Sequence, residues 1–178
     1  MGNTLALLPI LAAMVIPAYN LRRTINLGVR RYDFFLGCIP AYVILSAAVS
    51  LVAVIFHYAV DRYLVRYFAG IMDMFVAFGF IGRGPVAAFI QTFAFLILFT
   101  SFVHTLTMAQ TAWYGWVADV LIVAIISVFT PIARLRAALV WFFRLIIFGN
   151  PVLQVFSCFI LAALVYSLSK PVLNRKRI

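Results

Sequence analysis

The chain has 178 residues, of which 67% are hydrophobic and 10% charged, with a mean hydropathy of +1.16. A soluble domain carries about 45–50% apolar and about 25% charged residues, so this composition excludes a water-solvated globular enzyme. Lipid is the solvent for most of the chain, and there the backbone must satisfy its own hydrogen bonds as helices or a closed barrel. Fourteen Lys and Arg against four Asp and no Glu give a net charge of +10. The basic residues lie between the apolar runs, where they orient spans and meet anionic headgroups, and they do not point to nucleic acid.

Long unbroken apolar runs select helices over a barrel, and they predict one all-α transmembrane domain over residues 1–178. The first run, Thr4 to Tyr19, is short for a span, which needs about 20 residues, and Pro9 and Pro17 are candidate kinks. It is not a signal peptide, because its basic residues follow the apolar segment and no small-residue cleavage site appears. Asn20 to Asp33 then places Arg22, Arg23, Arg30 and Arg31 around Ile25, Leu27 and Val29. That mixture predicts a short amphipathic helix or turn at the membrane surface, on the cytoplasmic side by its positive charge.

Phe34 to Val60 is the clearest span, long enough to cross with tilt. Asp61 to Pro85, with Arg62, Arg66, Asp73 and Arg83 among aromatic residues and turn-forming glycines at its end, reads as an interfacial outer connection. Val86 to Met108 is a third span, followed by an aromatic belt at Trp113, Tyr114 and Trp116. Val117 to Ile132 is a fourth, stopped by Pro131. Ala133 to Asn150 mixes Arg134, Arg136 and Arg144 with aromatic and aliphatic residues, and a charge at Arg144 is costly at mid-bilayer. An interfacial or re-entrant helix fits it better than a span. Val152 to Ser169 is the last crossing, and Lys170, Arg175, Lys176 and Arg177 form a basic tail. Five crossings put Asn20 to Asp33 and the tail on one face, with eight Lys and Arg against six on the other, and the N-terminus outside.

The inventory for catalysis is thin. Cys38 and Cys158 sit in apolar runs without a CxxC spacing or a His nearby, so neither a metal site nor a disulfide is indicated. No HExxH, GxSxG or GxxxxGK[ST] occurs, so the chain itself binds no ATP through a P-loop. Ionisable residues inside spans are His57, His104 and Asp119. Gln91, Thr92, Ser101, Thr105 and Thr107 share one run, where such groups hydrogen-bond between helices or line a translocation path; Gln91, His104 and Asp119 are the candidates for that path.

Leu27-Gly28-Val29-Arg30-Arg31, followed by Phe34, Phe35 and Gly37, resembles the element joining the second and third spans in permease subunits of bacterial type 2 ABC exporters. The order of the later elements, including a broken outer helical pair before the last span and a basic tail, is similar as well. The resemblance implies that Arg22, Arg23, Leu27, Gly28, Val29, Arg30, Arg31 and Phe34 form the coupling element that docks on a separate ATP-binding cassette subunit. ATP and Mg would then belong to that partner and no cofactor to this chain. It further implies a homodimer or a related permease chain as a second partner, and residence in the bacterial cytoplasmic (inner) membrane. The family has six spans and starts in the cytoplasm, so the resemblance places Met1 at the outer turn between spans one and two, with the first span missing.

Two functions from different classes compete. One is a permease half exporting a lipophilic compound or peptide. The other is a non-transporting accessory, assembly or immunity protein, which shares the hydropathy and basic loops but requires no ATPase. A membrane enzyme is disfavoured because no acid, base and nucleophile set is apparent.

Overall fold

In the computed structural model, which describes residues 2–61, 63, 77–110 and 112–175, all regular structure is helical and no strand occurs among the described residues. Helix α1 (Gly2–Val15) contains Pro9 and runs through a π-helical turn, Ile16–Asn20, into α2 (Leu21–Asn26). Pro17 explains the widened turn: it has no N–H to donate, and its ring crowds the carbonyl four residues back. Helix α3 (Arg31–Phe56) extends through a second π turn, His57–Asp61. A 3-10 turn, Phe80–Arg83, leads to α4 (Pro85–Ala109), where Gly84 at φ +92° precedes Pro85 at the first helical position, a place where its missing N–H costs nothing. Helices α5 (Trp113–Phe129) and α6 (Ala133–Phe143) follow, then a π turn, Arg144–Phe148, and α7 (Pro151–Arg175).

Four stretches are long and apolar enough to cross a membrane, Thr4–Asn26, Arg31–Val60, Pro85–Ala109 and Pro151–Leu173. The chain is therefore a multi-pass membrane protein. The fourth expected span, Val117 to Ile132, differs from a simple crossing. It falls on α5, which is 17 residues long and turns through 118° into Ala133–Phe148, so only the bent pair together supplies a fifth candidate. Pro131 sits in the break, consistent with its inability to continue the helix. The expected outer connection from Asp61 to Pro85 lies largely outside the described residues.

The spanning helices are largely apolar all round, and their core combines a few large residues, among them Leu21, Leu96, Met108 and Leu173 at 2% exposure or less, with many small or polar ones. Of the small or polar residues, Ala13, Ser46, Ser50, Ala53, Ala88, Ala94, Thr100, Cys158 and Ser169 are each 3% exposed or less. Large aliphatic and aromatic residues such as Leu7, Ile44, Ile55, Phe156 and Ile160 are more than half or about half exposed. This inversion suits a lipid solvent, which gives large apolar groups no reason to hide, while small residues let helix backbones approach.

Helix α4 is the hub, packed along α1, α3 and α7. Gln91 meets Gln154, and Thr105 meets the carbonyl of Val165, so α4 and α7 run parallel. Tyr42 meets His104, while Ala53 and Val54 cluster with Ala88, so α3 runs antiparallel to both. Ala6 packs at the level of Leu96 and Ala13 at that of Met108, which makes α1 parallel to α4. The turn after α2 and the C-terminal ends of α4 and α7 therefore share one end of the bundle. Because α4 and α7 are parallel, α5 and α6 must return the chain to the opposite end. Gly115 packs against the backbone of Ala109 at the start of that return, and Ile146 packs against Ala94 and Cys158 at its finish.

Candidate functional site

The end of the bundle that gathers the basic residues is built around a tight reversal. The N–H of Leu27 donates to the carbonyls of Arg23 and Thr24 at 3.2 Å, that of Gly28 to Ile25 at 2.9 Å, and that of Val29 to Thr24 at 3.2 Å. These bonds close the last turn of α2 on its own orphan carbonyls. Gly28 adopts φ +87°, a left-handed conformation that costs other residues roughly 1–2 kcal/mol. Arg30 is extended and caps α3. Of the two forms expected for this segment the structure has both: a short helix, α2, continuous with the apolar stretch Thr4–Asn26, and the turn that follows it.

The predicted coupling residues separate into two groups. Arg22, Arg23, Leu27, Gly28, Val29 and Arg30 are exposed, Leu27 at 75%. Arg31 is half-buried, its Nη1 donating to the carbonyl of Leu173 at 3.2 Å. Phe34 is buried, clustered with Leu21, Cys38, Tyr42 and Leu173, so it anchors the turn from below and offers no surface to a partner. Lys170, which sequence reading placed only in the tail, holds its Nζ 5.4 Å from the centroid of the Tyr32 ring, a cation–π distance. Together Arg31 and Lys170 tie the start of α3 to the end of α7.

The three candidates for a translocation path do not converge. His104 is 1% exposed and its Nδ1 lies 2.8 Å from the Tyr42 hydroxyl. Its ring is 5.1 Å from that of Tyr166, whose hydroxyl donates to the carbonyl of Phe35 at 2.7 Å. Gln91, on the same helix but nearer its start, is 3% exposed, and its Nε2 donates to Gln154 Oε1 at 2.6 Å. Asp119 is on α5 near the basic end, where its Oδ2 accepts from Gln110 Nε2 at 3.4 Å. Thr105 and Thr107 donate to carbonyls four residues back, and Thr105 also to Val165 on α7. The polar run on α4 therefore acts mainly within and between helices.

Sequence reading missed Tyr42, Tyr166 and Gln154, the partners of the buried groups on α4. Their signal was a polar residue within an apolar run, and the residue that each one meets lies 62, 131 or 63 positions away. Ser46, Ser50 and Thr92 add buried hydroxyls that no group among the described residues engages. Cys38 and Cys158 are free and buried, and among the described residues no group of His, Cys, Asp or Glu could hold a metal ion. A cleft of about 370 Å³ lies between α3 and α7 with α4 as its floor, and a smaller one of about 320 Å³ lies at the opposite end beside Gly79, Arg83 and Gly149. No family model, curated protein or solved structure matches this chain.

Proposed function

We propose that the chain is the membrane-spanning permease subunit of an ATP-binding cassette exporter, driven through the turn between α2 and α3 by a separate ATPase in the cytoplasm. The observation that carries the reading is the reversal at Leu27 to Arg30. It is short, hydrogen-bonded to its own helix end, set by a left-handed glycine, and rigidly joined to two long helices. An exposed apolar pair, Leu27 and Val29, stands among Arg22, Arg23 and Arg30. A partner surface with an apolar pocket and an acidic rim is complementary to it, and a push on this turn would move both α1–α2 and α3. The exported compound is lipophilic or a peptide, and transport is a shift between inward- and outward-open arrangements.

In this reading the chain crosses the bacterial inner membrane five times, the bent pair of α5 and α6 supplying the fourth crossing as a broken outer element. The basic end is cytoplasmic. Two permease chains, identical or related, form the path between them. This would explain why Gln91, His104 and Asp119 do not meet inside one copy.

The same lack of convergence favours one rival, a membrane-bound accessory or immunity protein that binds another membrane protein without transport. Purification in mild detergent with the genomic neighbours distinguishes them. Stoichiometric recovery of a P-loop ATPase, lost in Gly28→Asp with Arg30→Glu, is the expected outcome. Recovery of no ATPase under any condition overturns the permease reading and leaves the accessory protein.

A further inference from the structure

The cleft between α3 and α7 has an apolar lining that ATPase coupling does not use, and a charged end that adds Lys170 to Arg30 and Arg31 of the coupling turn. Its floor is Ile97 and Ser101 of α4, and its walls include Ile39 and Val43 of α3 with Phe159 and Ala163 of α7. Ile39, Val43 and Phe159 are each 40% exposed, so the cleft opens sideways, towards the medium that surrounds the bundle. Its volume of about 370 Å³ lies within the range of small-molecule sites, roughly 300–1,000 Å³.

At one end the lining changes character on both walls together. Phe35 on α3 gives way, one helical turn on, to Arg31 and Tyr32, and Tyr166 and Ser167 on α7 give way to Lys170. Lys170 is exposed and poised over Tyr32. Arg30, also exposed, caps α3, a helix of 26 residues whose N-terminus carries positive partial charge at the same place. The apolar slot thus ends in Arg30, Arg31 and Lys170, with Asp33 as the acidic residue of the first turn of α3.

We propose that this cleft holds one acyl chain of an anionic phospholipid whose phosphate is bound by Lys170 with Arg30 and Arg31. An amphiphile with a single negative head matches both the slot and its charged end. A second copy of this chain matches it poorly, because two copies inserted in the same direction bring basic end against basic end. The lipid would add to the bonds from Arg31 to Leu173 and from Tyr166 to Phe35 that hold α3 to α7 at this end. The inference rests on the bilayer surrounding these helices and not on ATPase coupling, so the two stand or fall separately.

The test is native mass spectrometry of the purified chain with palmitoyl-oleoyl phosphatidylglycerol and with phosphatidylcholine of the same chains. Wild type should retain phosphatidylglycerol preferentially. Lys170→Ala and Arg30→Ala should each weaken that preference roughly fivefold, since a basic side chain near a membrane surface contributes about 1 kcal/mol towards an anionic lipid. Lys170→Arg should preserve it. Ala163→Phe, which fills the slot from an exposed position, should reduce retention of both lipids. Ser167→Phe on the same rim repeats that blockade should Ala163→Phe not be monodisperse on size exclusion. Equal retention of the two lipids, or undiminished retention when the slot is filled, overturns the proposal. So does a dimer that the slot-filling variants dissociate without changing lipid retention.

Discussion

Tyr42 and His104 join α3 to α4 at the level where α7 also closes in, with the Tyr42 hydroxyl 2.8 Å from His104 Nδ1 and the Tyr166 ring 5.1 Å from the imidazole. Three helices from distant parts of the chain are thereby registered at one point. In a bilayer the alternative partner for a buried hydroxyl is not water, yet such bonds average only about 0.6 kcal/mol with a maximum of about 1.7 kcal/mol. A double-mutant cycle with Tyr42→Phe and His104→Leu, read by unfolding in mixed micelles, should therefore give a coupling energy of about 0.5–1.7 kcal/mol. Strict additivity of the two substitutions would show that the contact contributes nothing to the junction.

Gln91 and Gln154, at 3% and 0% exposure, are as buried as that pair but differ from it in being two amides, each with a second polar group to satisfy. One bond joins them at 2.6 Å, leaving Gln91 Oε1 and Gln154 Nε2 without a partner among the described residues. Gln154→Leu strands the second amide and should cost about 1–3 kcal/mol. The double replacement with Leu removes both polar groups and should recover most of that loss, since exchanging both partners for apolar groups of similar shape is close to neutral. Thermal unfolding of the three variants in one detergent gives the comparison. A double variant less stable than either single would mean that the pair is an essential polar element.

Gly28 tests the turn independently of any partner. At φ +87° with no atom near the place of an added Cβ, the obstacle to substitution is backbone conformation and not space. Asn tolerates the left-handed region better than Ala, and Val least. The expected order of stability is Gly, then Asn, Ala and Val, with Ala about 1 kcal/mol below wild type. Protease cleavage between Asn26 and Arg30 should rise in the same order. If Ala and Asn were indistinguishable from wild type, the left-handed turn would not persist in the membrane.

The runs that became helices were legible because length and apolarity are enough to specify a helix in lipid: Phe34 to Val60 corresponds to α3 with its π extension, and Val86 to Met108 lies within α4. Which face each helix buries was not legible. Lipid removes the amphipathic stripe that marks the inner face of a soluble helix, so Ile44 and Ser46 look alike in hydropathy context, yet one is 68% exposed and the other 0%. The basic turn was read at its right position, and its exposed members were separable from Phe34 only once packing was visible. Pro131 marked where α5 stops, while the 118° change of direction that follows is a matter of how the two helices pack, which a local pattern does not carry.

Sidedness is the remaining test of the five-crossing reading. The parallel course of α4 and α7 requires the chain to return between them, so Asn150 and Gly82 should face the medium opposite to that of Leu27 and Lys170. All four are exposed, and the native thiols Cys38 and Cys158, at 3% and 0% exposure, should not react with a membrane-impermeant maleimide because burial denies it access. Single cysteines at the four positions should then label in two pairs, Leu27→Cys and Lys170→Cys only from the cytoplasm, Gly82→Cys and Asn150→Cys only from outside. Labelling of Asn150→Cys from the same side as Leu27→Cys would mean that α5 and α6 enter and leave by one face, and α4 and α7 could not then lie parallel across the bilayer.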